Sequence, residues 1–243
     1  MNNHKNQFLA CLSYLGLNPD QELVAPHVRA MKSCAQLPIF NRVCGDENTT
    51  AQDISAVTSY YSDMPHSWVV DAANTTLHNV LEAHDYTKQE SLSIKHRVLD
   101  EAISLQDVEG LVIAKITDID EIAEWVSVAS RIFDLDEIEC AQFVSYLVDT
   151  VSAQQIHFYS GYYQDAVVAI GVAIDYGTIT LVDWVGVDVD NSAQEMYQAL
   201  LANIFADAQA RGACEVIMPG ESTFSSVYGT LGLQECMRVV LYQ

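Results

Sequence analysis

The pattern of hydrophobic and polar positions changes near residue 105. Before it, the pattern predicts two helices broken by prolines, NQFLACLSYLGL and a stretch around ELVAPHVRAMKSCAQL, and then a polar loop, NRVCGDENTTAQDIS. A short strand, a helix and an alternating strand are predicted next: HSWVVDA, TTLHNVLEAHDY and ESLSIKHRVLD. The polar connector EAISLQDVEG follows, so we predict one α/β region over residues 1–105 and a second region over residues 106–243.

Strand and helix patterns alternate more regularly after the connector. LVIAKI predicts a strand, and the next helix, DIDEIAEWVSVASRIF, has Asp118 or Asp120 as its cap. A second helix follows, DEIECAQFVSYLVDTV, and then three strands, IHFYSGYY, AVVAIGVAIDYG and TITLVDWVGV. The next element is a long helix that ends at Gly212, SAQEMYQALLANIFADAQARG. The last predicted elements are a buried strand, CEVIMPG, a short helix, TFSSVYGTLGLQ, and a final strand, CMRVVLYQ. Hairpins followed by a strand–helix–strand unit predict an α+β fold with one mixed central sheet flanked by helices.

Charge narrows the partners that this chain can have. It carries 33 acidic and 11 basic residues, for a net charge of −22, within a composition that is 50% hydrophobic and typical of globular proteins. The electrostatic field of a chain this acidic repels nucleic acid and anionic membranes and attracts cations. We therefore expect no nucleic-acid or membrane partner and favour a small amine or another cationic acceptor. The alternative is that the acidity only keeps the protein in solution.

Cysteine and histidine spacing predicts neither a disulfide framework nor a metal site. The six cysteines have no CxxC spacing, so we expect free and mostly buried thiols, and the seven histidines are dispersed. The chain has no apolar run long enough to cross a bilayer, and its first residues lack the basic start and long apolar middle of a secretory signal. We expect a cytoplasmic protein.

Three collinear stretches resemble the GNAT N-acetyltransferase superfamily. They are YYQDAVVAIGVAIDYGTITLVDWVGV, similar to the family's central hairpin; QALLANIFADAQARGACEVIM, similar to its helix–strand crossover; and SSVYGTLGL, similar to its closing helix. The resemblance covers about residues 110–243. It implies a GNAT-like fold and acetyl transfer from acetyl-CoA to an amine acceptor. The alternative is a non-catalytic GNAT-fold binding module that has lost its usual CoA binding.

Two residues are catalytic candidates. Tyr228 matches the position of the family's general acid, a phenol that protonates the departing thiolate of CoA. Its alternative role is that of a helix aromatic needed only for packing. Asp183 lies on the strand where many relatives carry a carboxylate that faces the acceptor amine, and its alternative role is that of an exposed edge carboxylate. Regular alternation predicts two opposite faces of this strand, with Leu181, Asp183 and Val185 on one and Val182, Trp184 and Gly186 on the other.

The junction VDVDNSAQEMYQALL replaces the family's glycine-rich pyrophosphate loop. The resemblance implies a cofactor-binding segment made of Val185, Val187, Ser192, Ala193, Gln194, Glu195, Met196 and Tyr197. Ser192 stands at the family's Arg/Gln position, and Glu195 and Tyr197 stand at its two glycine positions. Ser192 and Glu195 also match a capping box, which would satisfy the helix amides that a phosphate needs. Bound acetyl-CoA is therefore doubtful from these residues.

Basic residues are scarce in the C-terminal region. From residue 151 to residue 243 there are ten acidic residues and two basic ones, Arg211 and Arg238. CoA is a polyanion, so further cations would have to come from Lys88, Lys95 and Arg97 in the N-terminal half.

A short internal match indicates that the N-terminal half is a degenerate GNAT-like copy. VLEAHDY, at residues 80–86, aligns with VYGTLGL, at residues 227–233, and a strand lies on each side of both segments. Leu81 stands where Tyr228 stands, so any chemistry is expected in the C-terminal half. Chance similarity between two helix–strand junctions is the alternative.

Overall fold

The computed structural model describes residues 2–13, 22–150, 154–189, 193–220 and 222–243. Its helices within these ranges are α1 Asn2–Ser13, α2 Ala51–Tyr61, α3 Thr75–Glu82, α4 Ile122–Phe133, α5 Glu137–Thr150, α6 Ala193–Arg211 and α7 Ser225–Thr230. Its strands are β1 Glu22–Ala25, β2 Val28–Met31, β3 Arg42–Gly45, β4 Ser67–Asp71, β5 Lys88–Val98, β6 Leu111–Lys115, β7 Ile156–Tyr163, β8 Ala166–Tyr176, β9 Ile179–Val187, β10 Glu215–Gly220 and β11 Gln234–Tyr242. None of the described helices is both long and apolar enough to cross a bilayer.

The chain forms two compact units. The first unit contains Met1–Ile94 and Glu235–Gln243, and the second contains Lys95–Gln234. This division differs from the boundary predicted near residue 105, because residues just after Ile94 already bond within the second unit. His96 Nε2 lies 2.6 Å from Glu215 Oε2, and the Leu99 amide donates to the Cys214 carbonyl at 2.8 Å.

The first unit has a mixed sheet with strand order β1-β2-β3-β4-β11-β5. The β3–β4 pair is parallel, whereas the β1–β2, β2–β3 and β4–β11 pairs are antiparallel. The core contains Tyr61 from α2, Trp68 from β4, Leu77 and Leu81 from α3, and Tyr242 from β11. The last strand of the chain therefore belongs to the core of the first unit.

The second unit has the strand order β5-β10-β9-β8-β7-β6, in which residues 95–98 supply its part of β5. Strands β6 to β9 form an antiparallel meander, and β9 pairs in parallel with β10 after the α6 crossover. Helices α4 and α6 cover opposite faces of the sheet. A Cβ atom on Gly186 would meet Ile132 of α4, whereas one on Gly171 would meet Ile204 of α6.

One of the predicted helices is a hairpin. The stretch around ELVAPHVRAMKSCAQL forms β1 and β2, joined by a turn at Pro26 and His27. Pro26 cannot donate a helical hydrogen bond, and the β-branched residues Val24 and Val28 favour a strand on each side of it. The apolar residues of this stretch pack in a sheet, so the predicted helix is wrong.

The predicted polar loop NRVCGDENTTAQDIS contains β3 and the first turn of α2. Its helix start has a capping box, in which the Asp53 amide donates to Thr50 Oγ1 at 3.3 Å and the Thr50 amide donates to Asp53 Oδ2 at 2.8 Å. Burial raises the pKa of Asp53, but the hydrogen bonds that the Thr50 hydroxyl and amide donate to its carboxylate outweigh burial, and the pKa lies below its usual value. A threonine followed three residues later by an acid was the available sequence signal.

The remaining predicted strands and helices are present within the described residues, and Gly212 ends α6 with a φ of 101°. Residues 14–17 of the first predicted helix lie outside the described residues. The start of α4 differs from the prediction. Its N-cap is Glu121, while Asp118 Oδ1 accepts a hydrogen bond from the Asp120 amide in the turn just before the helix. The six cysteines are free, as expected, but only Cys11 and Cys44 are buried. The others lie in loops or partly covered strands and helices.

The two aligned helix–strand junctions have the same backbone geometry. The Tyr86 amide donates to the Leu81 carbonyl at 3.1 Å, and the Leu233 amide donates to the Tyr228 carbonyl at 2.8 Å. A left-handed residue precedes each of these amides: Asp85 has a φ of 65° and Gly232 a φ of 69°. An internal repeat would produce this correspondence. The hypothesis that the N-terminal half is a degenerate GNAT-like copy stays a prediction.

Candidate active site

Strands β9 and β10 stop pairing partway along their length. Their parallel register runs from Ile179 with Glu215 to Leu181 with Ile217, although β9 continues to Val187 and β10 to Gly220. The carboxyl ends of two parallel strands therefore separate on this side of the second unit. Such a separation at a strand–helix crossover is where α/β folds place ligands.

A β-bulge in β9 lies at the start of this separation. Ile170 pairs with Gly186 and Val172 pairs with Asp183, so two residues of β9, Trp184 and Val185, face the single residue Gly171. Trp184 has a φ of 51°, in the left-handed region. The extra residue changes which side chains of β9 face α6.

The predicted alternation of β9 is consequently wrong beyond Asp183. Val182 and Val185 both belong to the core cluster that includes the α6 residues, and Val187 packs against that cluster. The Trp184 ring instead contacts Phe133 of α4 and Phe143 of α5, with ring centroids 5.0 and 4.4 Å apart. Val185 and Val187, both predicted to line a cofactor, thus lie on the same side as Tyr228.

Tyr228 belongs to an aromatic cluster, which we define as Tyr197, Phe224 and Tyr228. The Tyr228 side chain is 2% exposed, and its hydroxyl lies 3.2 Å from the hydroxyl of Tyr197. The Tyr197 ring stacks on Phe224 with centroids 3.8 Å apart and an angle of 3° between planes. Tyr197, from α6, therefore holds the phenol of Tyr228 in one orientation.

Asp183 lies apart from Tyr228. It pairs with Val172, and its neighbour Val182 points into the α6 cluster, so the Asp183 side chain projects from the opposite face of the sheet. Asp183 Oδ1 accepts a hydrogen bond from the Trp184 amide at 2.9 Å, next to the bulge. The structure does not bring the two predicted catalytic residues together.

The start of α6 is described from Ala193 onward, and Ser192 lies outside the described residues. The predicted capping box of Ser192 and Glu195 therefore stays a prediction. Ala193 is half-buried, Gln194 and Glu195 are exposed, and Met196 is buried. Tyr197, which stands at one of the family's glycine positions, is 1% exposed and points into the core, so its ring does not obstruct the exposed start of the helix. Glu195 is the acidic side chain that a phosphate would meet there.

One cation of β5, Lys95, reaches the aromatic cluster, and a second, Arg97, reaches the end of α7. Lys95 Nζ lies 5.9 Å from the centroid of the Tyr228 ring, and its alkyl chain passes over Gly220, where an added Cβ would come within 2.7 Å. Arg97 Nη1 donates to the Leu231 carbonyl at 2.7 Å, at the end of α7. Two of the three predicted basic helpers thus belong to the second unit, whereas Lys88 is exposed in the first.

The two basic residues of the C-terminal region serve other contacts. Arg238 pairs with Glu235 in the first unit. Arg211, at the far end of α6, binds Asp175 through Nε at 2.8 Å and Nη2 at 3.0 Å, and it also binds Asp207. Since α6 has 19 residues, these contacts lie about 27 Å from its start. Neither arginine is available to the aromatic cluster.

The sequence analysis did not predict a polar network that surrounds Asp175. Besides Arg211, Asp175 binds His157 Nε2 at 3.0 Å and accepts from Thr180 Oγ1 at 2.6 Å. Burial raises the pKa of Asp175, but the hydrogen bonds from His157, Arg211 and Thr180 hold it well below its usual value. The network joins β7, β8, β9 and α6, so it is structural. Among the residues that the model describes, no group of three or more His, Cys, Asp or Glu side chains could hold a metal ion.

Comparisons with known proteins bear on the fold. No family model matches the chain, and no curated protein matches it. A GCN5-related N-acetyltransferase from Kribbella flavida is similar in structure, with a TM-score of 0.72 and 13% identity over 98% of this chain and 93% of its own. One from Sphaerobacter thermophilus has a TM-score of 0.63 and 17% identity over 93% and 81%.

A third solved structure is that of a tandem GNAT protein from the clavulanic acid biosynthesis pathway. It has a TM-score of 0.58 and 10% identity over 99% of this chain and 94% of its own. Identities this low are informative about the fold alone. The three matches each span nearly all of this chain, and the chain therefore has the fold of the GCN5-related N-acetyltransferases.

Proposed function

We propose that the second unit transfers an acetyl group from acetyl-CoA to an amine, with Tyr228 as the proton donor. The observation that carries this proposal is the position of the Tyr228 hydroxyl. It is buried in the cluster that α6 covers, and it lies 3.2 Å from a second phenol. The Tyr228 ring is 5.9 Å from Lys95 Nζ, and the Lys95 chain packs on Gly220 at the end of β10. A fixed and desolvated O–H group is what protonation of a departing thiolate requires.

The residues around Tyr228 and the start of α6 fit the thioester end of acetyl-CoA better than its nucleotide end. The valines on the α6 side and the aromatic cluster suit an apolar arm and a thioester, and Lys95 adds a positive charge near Tyr228. At the start of α6, the exposed Glu195 opposes a diphosphate. We therefore expect acetyl-CoA to bind weakly through its nucleotide end.

The proposed mechanism assigns one task to each side chain. Acetyl-CoA supplies the acetyl group and the leaving thiolate: a neutral amine attacks the thioester carbonyl, a C–N bond forms as the C–S bond breaks, and the proton that the nitrogen loses returns to the Tyr228 phenolate. Tyr228 Oη donates its proton to the departing sulfur, while the Tyr197 hydroxyl donates to Tyr228 Oη as negative charge develops there. The Lys95 ammonium stabilises the same charge across the ring. Asp183 takes no part, because it lies on the other face of the sheet.

A second candidate function is that of a non-catalytic binding module with this fold. It is favoured by the low exposure of Tyr228, at 2%, and by the contact that Tyr197 already makes with its hydroxyl. Access of a thioester to Tyr228 then requires Tyr197 to move. In both cases the acidic chain favours a cationic amine as partner, and the cytoplasmic location stays a prediction.

Calorimetry with acetyl-CoA, followed by thiol release with a panel of primary amines, distinguishes the two functions. We expect measurable binding, and turnover that falls by about 100-fold or more in Tyr228→Phe, which lacks only the hydroxyl. Tyr163→Phe, on β7, is the matched control and should keep wild-type turnover. Absence of both heat and thiol release would contradict acetyl transfer and leave the binding module as the remaining candidate. Equal activity of Tyr228→Phe and wild type would remove Tyr228 from the mechanism.

A further inference from the structure

The first unit contains a cleft of about 340 Å³, separate from the residues discussed for acetyl transfer. It lies where the parallel strands β3 and β4 end, at Gly45 and Asp71, and where α3 begins. Helix α1 closes another side with Lys5 and Leu9. Its volume is in the range that proteins use for small ligands, and the carboxyl ends of parallel strands are a usual place for them.

The charge of the cleft favours a cationic ligand over an anionic one. Among the described residues that line it, the charged ones are the carboxylates of Asp46, Glu47 and Asp71 and the ammonium of Lys5. Asp46 Oδ2 also lies 3.2 Å from His27 Nδ1. The excess of negative charge in a cleft raises the local concentration of cations.

Asp71 is organised to receive an ammonium group. Its Oδ1 accepts a hydrogen bond from the Ala73 amide at 3.0 Å, which fixes the carboxylate. Its Oδ2 lies 3.1 Å from Lys5 Nζ, with the Asp71 side chain 16% exposed and that of Lys5 40% exposed. The cleft thus already holds one alkylammonium, supplied by a partly exposed side chain of the protein itself.

An anion is disfavoured at the same place, although α3 begins there. Asn74 Oδ1 accepts from the Leu77 amide at 3.1 Å, and the Asn74 amide donates to the Asp71 carbonyl at 2.8 Å. These contacts use amides that an anion would need, and the three carboxylates repel it.

We propose that this cleft binds a small primary alkylamine, whose ammonium replaces that of Lys5 on Asp71 and whose alkyl chain lies along Leu9. The second polar end of a diamine would meet Asp46 or Glu47. Lys5 then acts as an internal competitor that sets the affinity. This site does not depend on acetyl transfer in the second unit.

An amide NMR titration with 1,4-diaminobutane at 0.15 M salt tests the proposal, with uncharged 1,4-butanediol and inorganic phosphate as the other probes. We expect saturable shifts from the diamine at the amides of Asp71, Ala73 and Thr75. Asp71→Asn should weaken binding by at least about tenfold, because it removes the charge that pairs with the ammonium. Lys5→Met should strengthen it about threefold to tenfold, because the competitor is gone.

Two matched controls carry the same chemical change outside the cleft. Asp63→Asn and Lys88→Met alter exposed charges of the first unit and should leave the affinity unchanged. Shifts that never saturate, or an equal loss in Asp63→Asn, would show general counterion attraction and overturn the proposal. So would tighter binding of phosphate, or equal binding of the diol. If Asp71→Asn fails to fold, the titration of Lys5→Met tests the proposal instead. Diamine binding by Lys5→Met that is unchanged or weaker than that of the wild type overturns the proposal.

Discussion

At the scale of single residues, the bulge at Trp184 determines what β9 presents to each side. Its left-handed backbone costs about 1 kcal/mol or more for a residue with a side chain, and contacts with Phe133 and Phe143 offset that cost. After the bulge, Gly186 faces α4. A Cβ there would lie 2.5 Å from Ile132 Cγ2, a distance that real Cβ atoms do not adopt. The glycine is therefore required by packing, not by its φ.

Gly186→Ala is expected to lower the free energy of unfolding by about 1–3 kcal/mol, since the methyl group overpacks against Ile132. Urea unfolding measures the change. Gly229→Ala is the control, because nothing lies within 4 Å of an added Cβ there and the helix gains rather than loses stability. Ile132→Ala combined with Gly186→Ala should cost less than the sum of the two. If the two free-energy costs are additive, the destabilisation by Gly186→Ala does not come from its contact with Ile132.

At the scale of elements, the Asp175 network fixes the end of α6 to the hairpin of β8 and β9. Arg211, in the last turn of the helix, reaches the carboxylate that ends β8, and Thr180 and His157 complete its bonds. An arginine in a last helical turn is visible in the sequence, whereas its partner 36 residues away is not. Elements that are regular in sequence are thus joined by contacts that the sequence does not show.

Asp175→Asn should cost about 1.5–3 kcal/mol at neutral pH, because it removes the charge that accepts hydrogen bonds from Arg211 and Thr180, while Asp207 still pairs with Arg211. Since folding lowers the pKa of Asp175, its contribution is complete above the unfolded value and is lost as the pH falls below about 4. The difference between wild type and variant should therefore shrink in acid. Thermal unfolding from pH 7 to pH 3 measures it, with the exposed Asp100→Asn as control. A difference independent of pH would contradict the assigned pKa direction.

At the scale of the whole molecule, the first compact unit is discontinuous in sequence, because it includes a strand that follows the whole second unit. Residues 235–243 belong to the first unit, and residues 95–98 of β5 belong to the second. In β11, Val239, Val240 and Tyr242 are buried, and Val240 pairs with Val70 of β4. The boundary predicted near residue 105 divides the chain differently and stays a prediction. Folding of the first unit therefore depends on the last residues of the sequence.

Val240→Asn is expected to destabilise the first unit by about 3 kcal/mol, because it buries an amide in an apolar cluster. Hydrogen exchange should show lower protection across β3, β4 and α2, far from residue 240 in sequence. Arg238→Asn, at an exposed position of the same strand, should leave that protection unchanged. If exchange rises only within β11, the strand is not integral to this core.

The sequence by itself determined the regular elements of the second unit, the acidity of the chain and the GNAT-like fold class, because helical and strand periods are encoded by neighbouring residues. It also placed Tyr228 on the closing helix. Only the tertiary structure decided that Val185 and Asp183 lie on opposite faces, that Tyr197 bonds to Tyr228, and that β11 completes the first unit. These features depend on residues far apart in the chain, and neither local spacing nor propensity contains that information.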